Sequence, residues 1–567
     1  MARKASCGKG SRSGKAGKAG RSTLGVILCE CGRELGRLLD LERLARGIKA
    51  DPRVALVVRG PYPCSRSEIE KLGGALAKRK LDRVVVAGCS ERLFGRLFRT
   101  ELAGFGIDPS LVDFADIKNL SSLIHKGGRA AVTGKALGLV RAMVAGLAAA
   151  ARAETVETEI KPVCAIIGGG ITGVTAAVAL AARGAKAILV ERRDAVGGLV
   201  RDLNVVYPSY LTSGEYVEAR RRELEASGVE VITGTYPVAV KGHVGDFEIE
   251  LANGAKISAG TIIVATGASP LVPEGLFGYG DNSRVVSQMD LEATLSRGED
   301  PGRAIVMIQC AGSRNEPRPY CSRVCCTASI VNTIFIKQKY PDAKITVLSR
   351  GFAEYAGDLD KARQMGVEIL RYSPARPPVV RERTVEVYDE ISEMEARIPF
   401  DLVVLAVPLV PSESTRELAQ MLKMPTDSFG FVMEPHLKIR PEEAVPRGIF
   451  VAGCAHWPSN ITESIVQAYS AASRAFDLLK AGKLTRASTA AVIDRDHCRG
   501  CGLCAEACRH GAIDLAVAED GLKRAEVVAI ACTGCGVCVS VCPSGAATLT
   551  AASSDRAGEM IDALTEA

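Results

Sequence analysis

The chain predicts an α/β protein of three successive domains. An amino-terminal parallel-sheet domain comes first, then a dinucleotide-binding domain, then a short cysteine-rich domain near the carboxyl end. Three observations carry the prediction. Apolar runs of strand length alternate with helical stretches early in the chain, which argues for a parallel sheet covered by helices. A glycine-rich turn follows the strand-like run 163–167 and opens an alanine-rich helix. Two cysteine runs of identical spacing begin at Cys498 and Cys532.

Composition narrows the class. At about 150 residues per domain, 567 residues are enough for three or four domains. Hydrophobic residues make up 47% and charged residues 24%, a globular balance. The 19 cysteines are too sparse for a disulfide-stapled mini-protein. Residues 1–22 lack the apolar segment of a secretory signal. The apolar stretch 137–151 is short and broken by Arg141, so no membrane span is expected. These features predict a cytoplasmic protein, where many cysteines mean metal or redox chemistry. The net charge of +7 comes from seven basic residues in 1–22; the remaining 65 basic residues balance 65 acidic ones. That segment reads as a disordered, solvated tail. Nothing else points to nucleic acid, so no nucleic-acid partner is expected.

The first domain, 23–157, carries the strand-like runs LGVILC, VALVVRG, RVVVAGC and LVDFADI. The helical stretches GRLLDLERLARGIKA and SEIEKLGGALAKRK lie between them. Cys29, Cys31, Cys64 and Cys89 follow the ends of the first three runs. Strand ends of a parallel sheet share one edge, where ligands collect. Four thiols there suit an iron–sulfur cluster; buried structural cysteines are the alternative. Cys7 and Cys164 read as bystanders.

The second domain, 160–484, opens with PVCAIIGGGITG. Gly168, Gly170 and Gly173 occupy the G-x-G-x-x-G positions, where glycine permits the tight turn and lets a pyrophosphate approach backbone N–H groups. A second strand ends at Glu191, placed to bind ribose hydroxyls. Gly197 and Gly198, then Thr266 and Gly267 in TIIVATGASP, match two-dinucleotide-binding flavoproteins of the thioredoxin reductase type and favour FAD over NAD. The segment from Gly453 to the helix starting at Ile461 resembles their closing motif, whose helix start favours negative charge on a reduced flavin. Cys454 replaces the usual aspartate, as a buried filler or as a flavin-tuning group.

Such flavoproteins carry a second glycine loop for a pyridine nucleotide. Here the matching strand, RAIVMIQC, leads instead into Cys310, Cys321, Cys325 and Cys326. Four soft ligands suit an iron–sulfur cluster, with structural zinc as the runner-up.

The third domain, 491–549, repeats the bacterial two-cluster ferredoxin spacing. In that motif the fourth cysteine of each run serves the other cluster. Cys498, Cys501, Cys504 and Cys542 are thus expected on one [4Fe–4S] cluster, and Cys532, Cys535, Cys538 and Cys508 on the other. Arg509 stands where proline normally follows the first run. Residues 480–489 read as a linker and 550–567 as a frayed tail.

GVILCECG, VVVAGCSER, GGGITGVTAA, the QCAGSR…YCSRVCC block, GIFVAGC…AYSAASRA and the twin cluster runs resemble the A-type subunit of heterodisulfide reductase. The resemblance implies a fourth [4Fe–4S] cluster in the flavin domain on Cys310, Cys321, Cys325 and Cys326, and strengthens the amino-terminal one. It implies an FAD-bearing oxidoreductase subunit within a larger complex, with a dimer as one form. Its donor would be a hydrogenase, formate dehydrogenase or similar enzyme, and its partners B- and C-type subunits, with ferredoxin as the acceptor where electron pairs are split. Methanogen-type members carry an inserted two-cluster ferredoxin and a cysteine pair after the Gly-Gly motif. Residues 199–265 hold no cysteine and are too few for that insert, a form compatible with the subunits of quinone-interacting membrane oxidoreductases in sulfur metabolism. Segment 119–121, without cysteine, is a second departure. A stand-alone flavin disulfide reductase is the rival, but no second fingerprint or flavin-side C-x-x-C pair is present. No catalytic acid or base stands out.

Overall fold

The computed structural model describes residues 24–352, 358–487, 489–518, 520–549 and 554–565. The expected basic tail 1–22 and Cys7 lie outside the described residues. The chain divides into two compact units. One comprises Met1–Thr155, Ala487–Val492 and Thr548–Ala567; the other comprises Val156–Arg486 and Ile493–Ala547.

In the first unit, four parallel strands run Leu24–Cys29, Val54–Gly60, Arg83–Ala87 and Val112–Ala115. Their order in the sheet is second, first, third, fourth. The winding reverses between the first and third strands, which opens a crevice at their carboxyl ends. Leu24–Cys29 is buried along its whole length, so its sequence is a continuous apolar run and not an alternation. The first helical stretch divides into Glu34–Leu38 and Leu41–Lys49. Asp40 stops one and caps the other, accepting the Arg43 N–H at 2.9 Å.

Among the described residues one helix, Arg129–Ala149, is long and apolar enough to cross a membrane. Its Val132, Ala136, Val140, Val144 and Leu147 are buried in the core of this unit. A predominantly apolar helix of this kind also serves as the centre of a globular core. The segment expected as a frayed tail forms the helix Ser554–Thr565, packed on Arg129–Ala149. Met560 sits over Gly146, where a Cβ would come within 2.6 Å of its Cγ, and Arg556 pairs with Asp113. So short a helix depends on such a tertiary partner.

The second unit contains two parallel five-stranded sheets. The first has the order Glu230–Ile232, Lys186–Val190, Val163–Ile167, Thr261–Val264, Ile449–Val451. The helices Ile171–Ala182 and Ile461–Ala481 supply Ala176, Ala177, Ala468, Ala471 and Ala472 to the core on one of its faces. Small side chains let these helices pack closely. The antiparallel meander Pro237–His243, Asp246–Leu251, Lys256–Ala259 contributes to the core on the other face. The second sheet, inserted between the last two strands of the first, has the order Val285–Ser287, Leu402–Leu405, Ala304–Ile308, Lys344–Ser349, Glu368–Arg371. Two dinucleotide-type sheets in one unit are the architecture of the two-dinucleotide-binding flavoproteins. Residues 483–487, within the expected linker, form a strand. The cysteine-rich segment adds the helices Leu503–Ala507 and Val537–Ser540 and the hairpin Ile513–Val517/Lys523–Val527.

Candidate flavin and cluster sites

The carboxyl ends of the first five-stranded sheet open on a cavity of about 430 Å³, within the range of cofactor sites. Gly168, Gly170, Glu191, Gly197, Gly198, Thr266, Gly267 and Ile461 line it. Gly168 has φ +111°, and a Cβ there would lie 2.3 Å from the Ala265 carbonyl oxygen. Gly173 sits behind the turn; a Cβ on it would lie 1.8 Å from the Gly168 oxygen. The turn therefore requires glycine at both places, which lets a pyrophosphate come close to the backbone where the helix Ile171–Ala182 begins. Glu191 is buried and accepts the N–H groups of Gly169 at 2.5 Å and Arg193 at 2.7 Å. Thr266 shares a hydroxyl hydrogen bond of 2.7 Å with Thr415. These features fit an FAD adenosine diphosphate at this end.

At the other end of the motif, the helix Ile461–Ala481 opens with a capping box of Asn460 and Glu463. Its first residues line the cavity, so the positive end of the helix is available to negative charge there. The Gly453 N–H donates to Gln467 Oε1 at 2.8 Å. Cys454 also lines the cavity; burial pushes its thiol up, and it donates to the Ser459 carbonyl at 3.2 Å.

A second wall of the same cavity comes from the helices Gln288–Ser296 and Cys325–Lys339. Cys325 is the first residue of the latter and is part of the wall. Cys310, Cys321 and Cys326 lie around it, close enough to act on its charge. The hydrogen bond that Cys325 donates to Cys326, then burial, push the Cys325 thiol far up. Burial also raises the Cys310 thiol, against Arg314, whose guanidinium approaches its sulfur at 3.8 Å. The Arg323 N–H donates to Cys321 Sγ at 3.3 Å. Crowded buried thiols hold their protons until a metal displaces them, which suits a cluster site.

The other thiols also gather. Cys29, Cys31, Cys64 and Cys89 line one small cavity at the strand ends of the first unit. Burial, first, pushes Cys29 up to about 12 and also raises Cys89. In the carboxy-terminal segment, Cys498, Cys501, Cys504 and Cys542 line another. Cys532, Cys535 and Cys508 lie about Cys538. Cys542 joins the first run and Cys508 the second, the exchange expected from the spacing. Cys164 is buried in the strand Val163–Ile167, away from these sets. Among the described residues no three His, Cys, Asp or Glu side chains converge on a single ion. The case for clusters therefore rests on donor chemistry, since each thiolate of a four-iron core holds its own iron.

The pyridine nucleotide-disulphide oxidoreductase family matches residues 127–276 and 162–307, and a 4Fe-4S dicluster domain matches 491–549. An A-type iron–sulfur subunit of the CoB–CoM heterodisulfide reductase of Methanopyrus kandleri is 29% identical over 88% of this chain and 92% of its own length. The A-type subunit of an H2:CoB–CoM heterodisulfide,ferredoxin reductase from Methanothermobacter marburgensis is 29% identical over 87% and 90%. Over most of its length the chain is similar to heterodisulfide reductase A-type subunits. The chain is an oxidoreductase with an FAD-binding domain and a 4Fe–4S dicluster domain. The match to the Methanopyrus protein spans 605 positions, more than this chain has residues, so that relative carries residues inside the matched span that are missing here. Thioredoxin reductase of Lactococcus lactis aligns with 57% of this chain and 100% of its own, at 20% identity and a TM-score of 0.42.

Two features of the chain have no signature in its sequence. Glu292, in the cavity wall, is 2% exposed. Lys118, in the turn Lys118–Ser122 that lacks a cysteine, donates from Nζ to Cys31 Sγ at 3.2 Å.

Proposed function

We propose that this chain is the electron hub of a heterodisulfide reductase-like complex in the cytoplasm. It receives electrons from a hydrogenase, formate dehydrogenase or similar donor and passes them through four [4Fe–4S] sites to B- and C-type partner subunits. The position of Cys325 carries the reading. It is both one of four gathered thiols and part of the flavin cavity wall, where a nicotinamide-dependent enzyme would keep its second glycine loop. FAD bound here would exchange electrons in ones or twos beside clusters that take one each. Gly168 and Gly170 would cradle the pyrophosphate, Glu191 would hold the ribose, and the helix start at Ile461 would favour a negative flavin ring.

The residues missing relative to the Methanopyrus protein favour a single relay over pair splitting with ferredoxin. The same shortness favours, as a second reading, a subunit that feeds a quinone-reducing partner; quinone reduction by the purified complex separates the two. For the hub itself, anaerobically purified chain should carry about 16 iron atoms and one FAD. An iron-free flavoprotein, or rapid flavin bleaching by NADH alone, overturns it.

A further inference from the structure

This inference rests on the hub reading. A nicotinamide delivers a hydride, which brings its own hydrogen to a flavin; a cluster delivers a bare electron. Where four cysteines replace the nicotinamide loop, the proton that accompanies flavin reduction has to be supplied separately, by solvent or by a protein group that relays it.

Besides the phenols of Tyr207 and Tyr236, the second of which lies under the Arg192 guanidinium, the titratable groups around the cavity are few. Glu191 is engaged by two backbone N–H groups. Glu417 is half exposed and paired with Arg192. Cys325 is one of the gathered thiols, and Cys454 is bonded into the turn at Ser459. Glu292 is different. Its carboxylate accepts the Asn204 N–H at 2.7 Å and Asn332 Nδ2 at 2.6 Å, and neither partner carries a charge. On the segment leading to Asn204, Arg201 pairs with Asp194, and Asp202 with Arg193. On its own helix, Asp290 is taken up by the Ser287 cap. On the facing helix, Cys325 is the titratable group of the cavity wall.

Each of these two asparagines has a buried side-chain atom without a hydrogen-bond partner: Asn332 Oδ1 and Asn204 Nδ2. The first is an acceptor. If the Asn332 amide turns by half a revolution, a protonated Glu292 donates to Oδ1; in the present amide orientation, an ionised Glu292 accepts from Nδ2. The site thus has a hydrogen-bonded arrangement for each protonation state. Burial, unopposed by any cation, pushes this carboxyl up to about 7, so both states are available near neutrality.

We propose that Glu292 is the proton donor and acceptor of the flavin cavity, supplying the proton that accompanies cluster-derived electrons. Oxidised flavin, two electrons and one proton give the reduced flavin anion. The electrons come singly from reduced four-iron clusters. The O–H bond of Glu292 breaks, an N–H bond forms on the flavin ring, and the carboxylate regains its proton from solvent. Reoxidation runs the transfer backwards.

The test uses the holo-chain and its Glu292→Gln variant, with iron and FAD content measured first. Reduced-minus-oxidised infrared spectra of the wild type should show a carboxylic C=O stretch that shifts in D2O and is missing from E292Q. On rapid mixing with dithionite, flavin bleaching in E292Q should slow by at least roughly tenfold, while cluster bleaching keeps its wild-type rate. Absence of iron in the wild type overturns the hub reading. With iron present, a wild-type spectrum without the carboxyl band, or an E292Q flavin bleached at the wild-type rate, overturns the proposal alone. Should E292Q lose its FAD, the wild-type infrared band decides.

Discussion

The Lys118 ammonium donates to the sulfur of Cys31 at 3.2 Å and is held there by Glu34 at 2.7 Å. A cation so placed stabilises electron-rich sulfur, and hence the reduced state of a cluster bound at Cys29, Cys31, Cys64 and Cys89. Lys118→Met should lower the midpoint potential of one cluster by roughly 50 mV, somewhat less than a full charge-assisted hydrogen bond because the site is partly solvated. Redox titration followed by electron paramagnetic resonance measures it. A set of potentials unchanged by the substitution would separate Lys118 from any cluster.

The glycine turn gives a second prediction. Alanine at Gly168 would have to keep φ near +111° and place its Cβ 2.3 Å from the Ala265 carbonyl oxygen, a fixed backbone atom. Gly168→Ala should therefore leave the chain with less than about a tenth of its FAD after desalting, a loss of at least about 1.4 kcal/mol in affinity. Iron content should be retained. Normal flavin retention in the variant would place the FAD elsewhere.

Glu292 has a consequence for stability as well. Its folded-state carboxyl, near 7, lies above the usual glutamate value because burial penalises its charge. Between about pH 4.5 and 7 the folded chain keeps a proton that the unfolded chain has released. Unfolding free energy should therefore fall as pH rises through that window, by on the order of 3 kcal/mol, and level off above it. Denaturant titrations across the window, compared with E292Q, isolate the effect. The difference between the two proteins should shrink with falling pH, and a pH-independent difference would show that Glu292 does not titrate there.

What could be read in the sequence was local. Gly168, Gly170 and Gly173 fall within one turn, and each ferredoxin run fits within eleven residues, so spacing alone carries their chemistry. Cys29, Cys64 and Cys89 needed one further step, the rule that parallel strand ends share an edge. The rest depends on distant partners. Glu292 acquires its environment from Asn204, 88 residues away, and Asn332, 40 away. Lys118 meets Cys31 across 87 residues. The carboxy-terminal helix, expected as a frayed tail, is tied through Arg556 to Asp113, 443 residues away. No window of sequence contains such pairs.

The exchange of the fourth ligands gives the sharpest prediction. Cys542 belongs to the second run in sequence but shares a cavity with Cys498, Cys501 and Cys504. Cys508 belongs to the first run but lies near Cys538 with Cys532 and Cys535. Loss of one thiolate from a four-iron site leaves an iron without its protein ligand. Cys542→Ser and Cys504→Ser should therefore alter the same resonance signal, and Cys508→Ser and Cys538→Ser the other. Each variant should lose up to about four iron atoms while FAD content stays at the wild-type level. Pairing by sequence run, with Cys508 and Cys504 affecting one signal and Cys542 and Cys538 the other, would contradict the arrangement of the two thiol sets. The result also tests the electron path, because the exchange ties the two sites to a common pair of short helices, Leu503–Ala507 and Val537–Ser540. That packing keeps the clusters as neighbours, so one-electron transfer between them should survive in any variant that retains both.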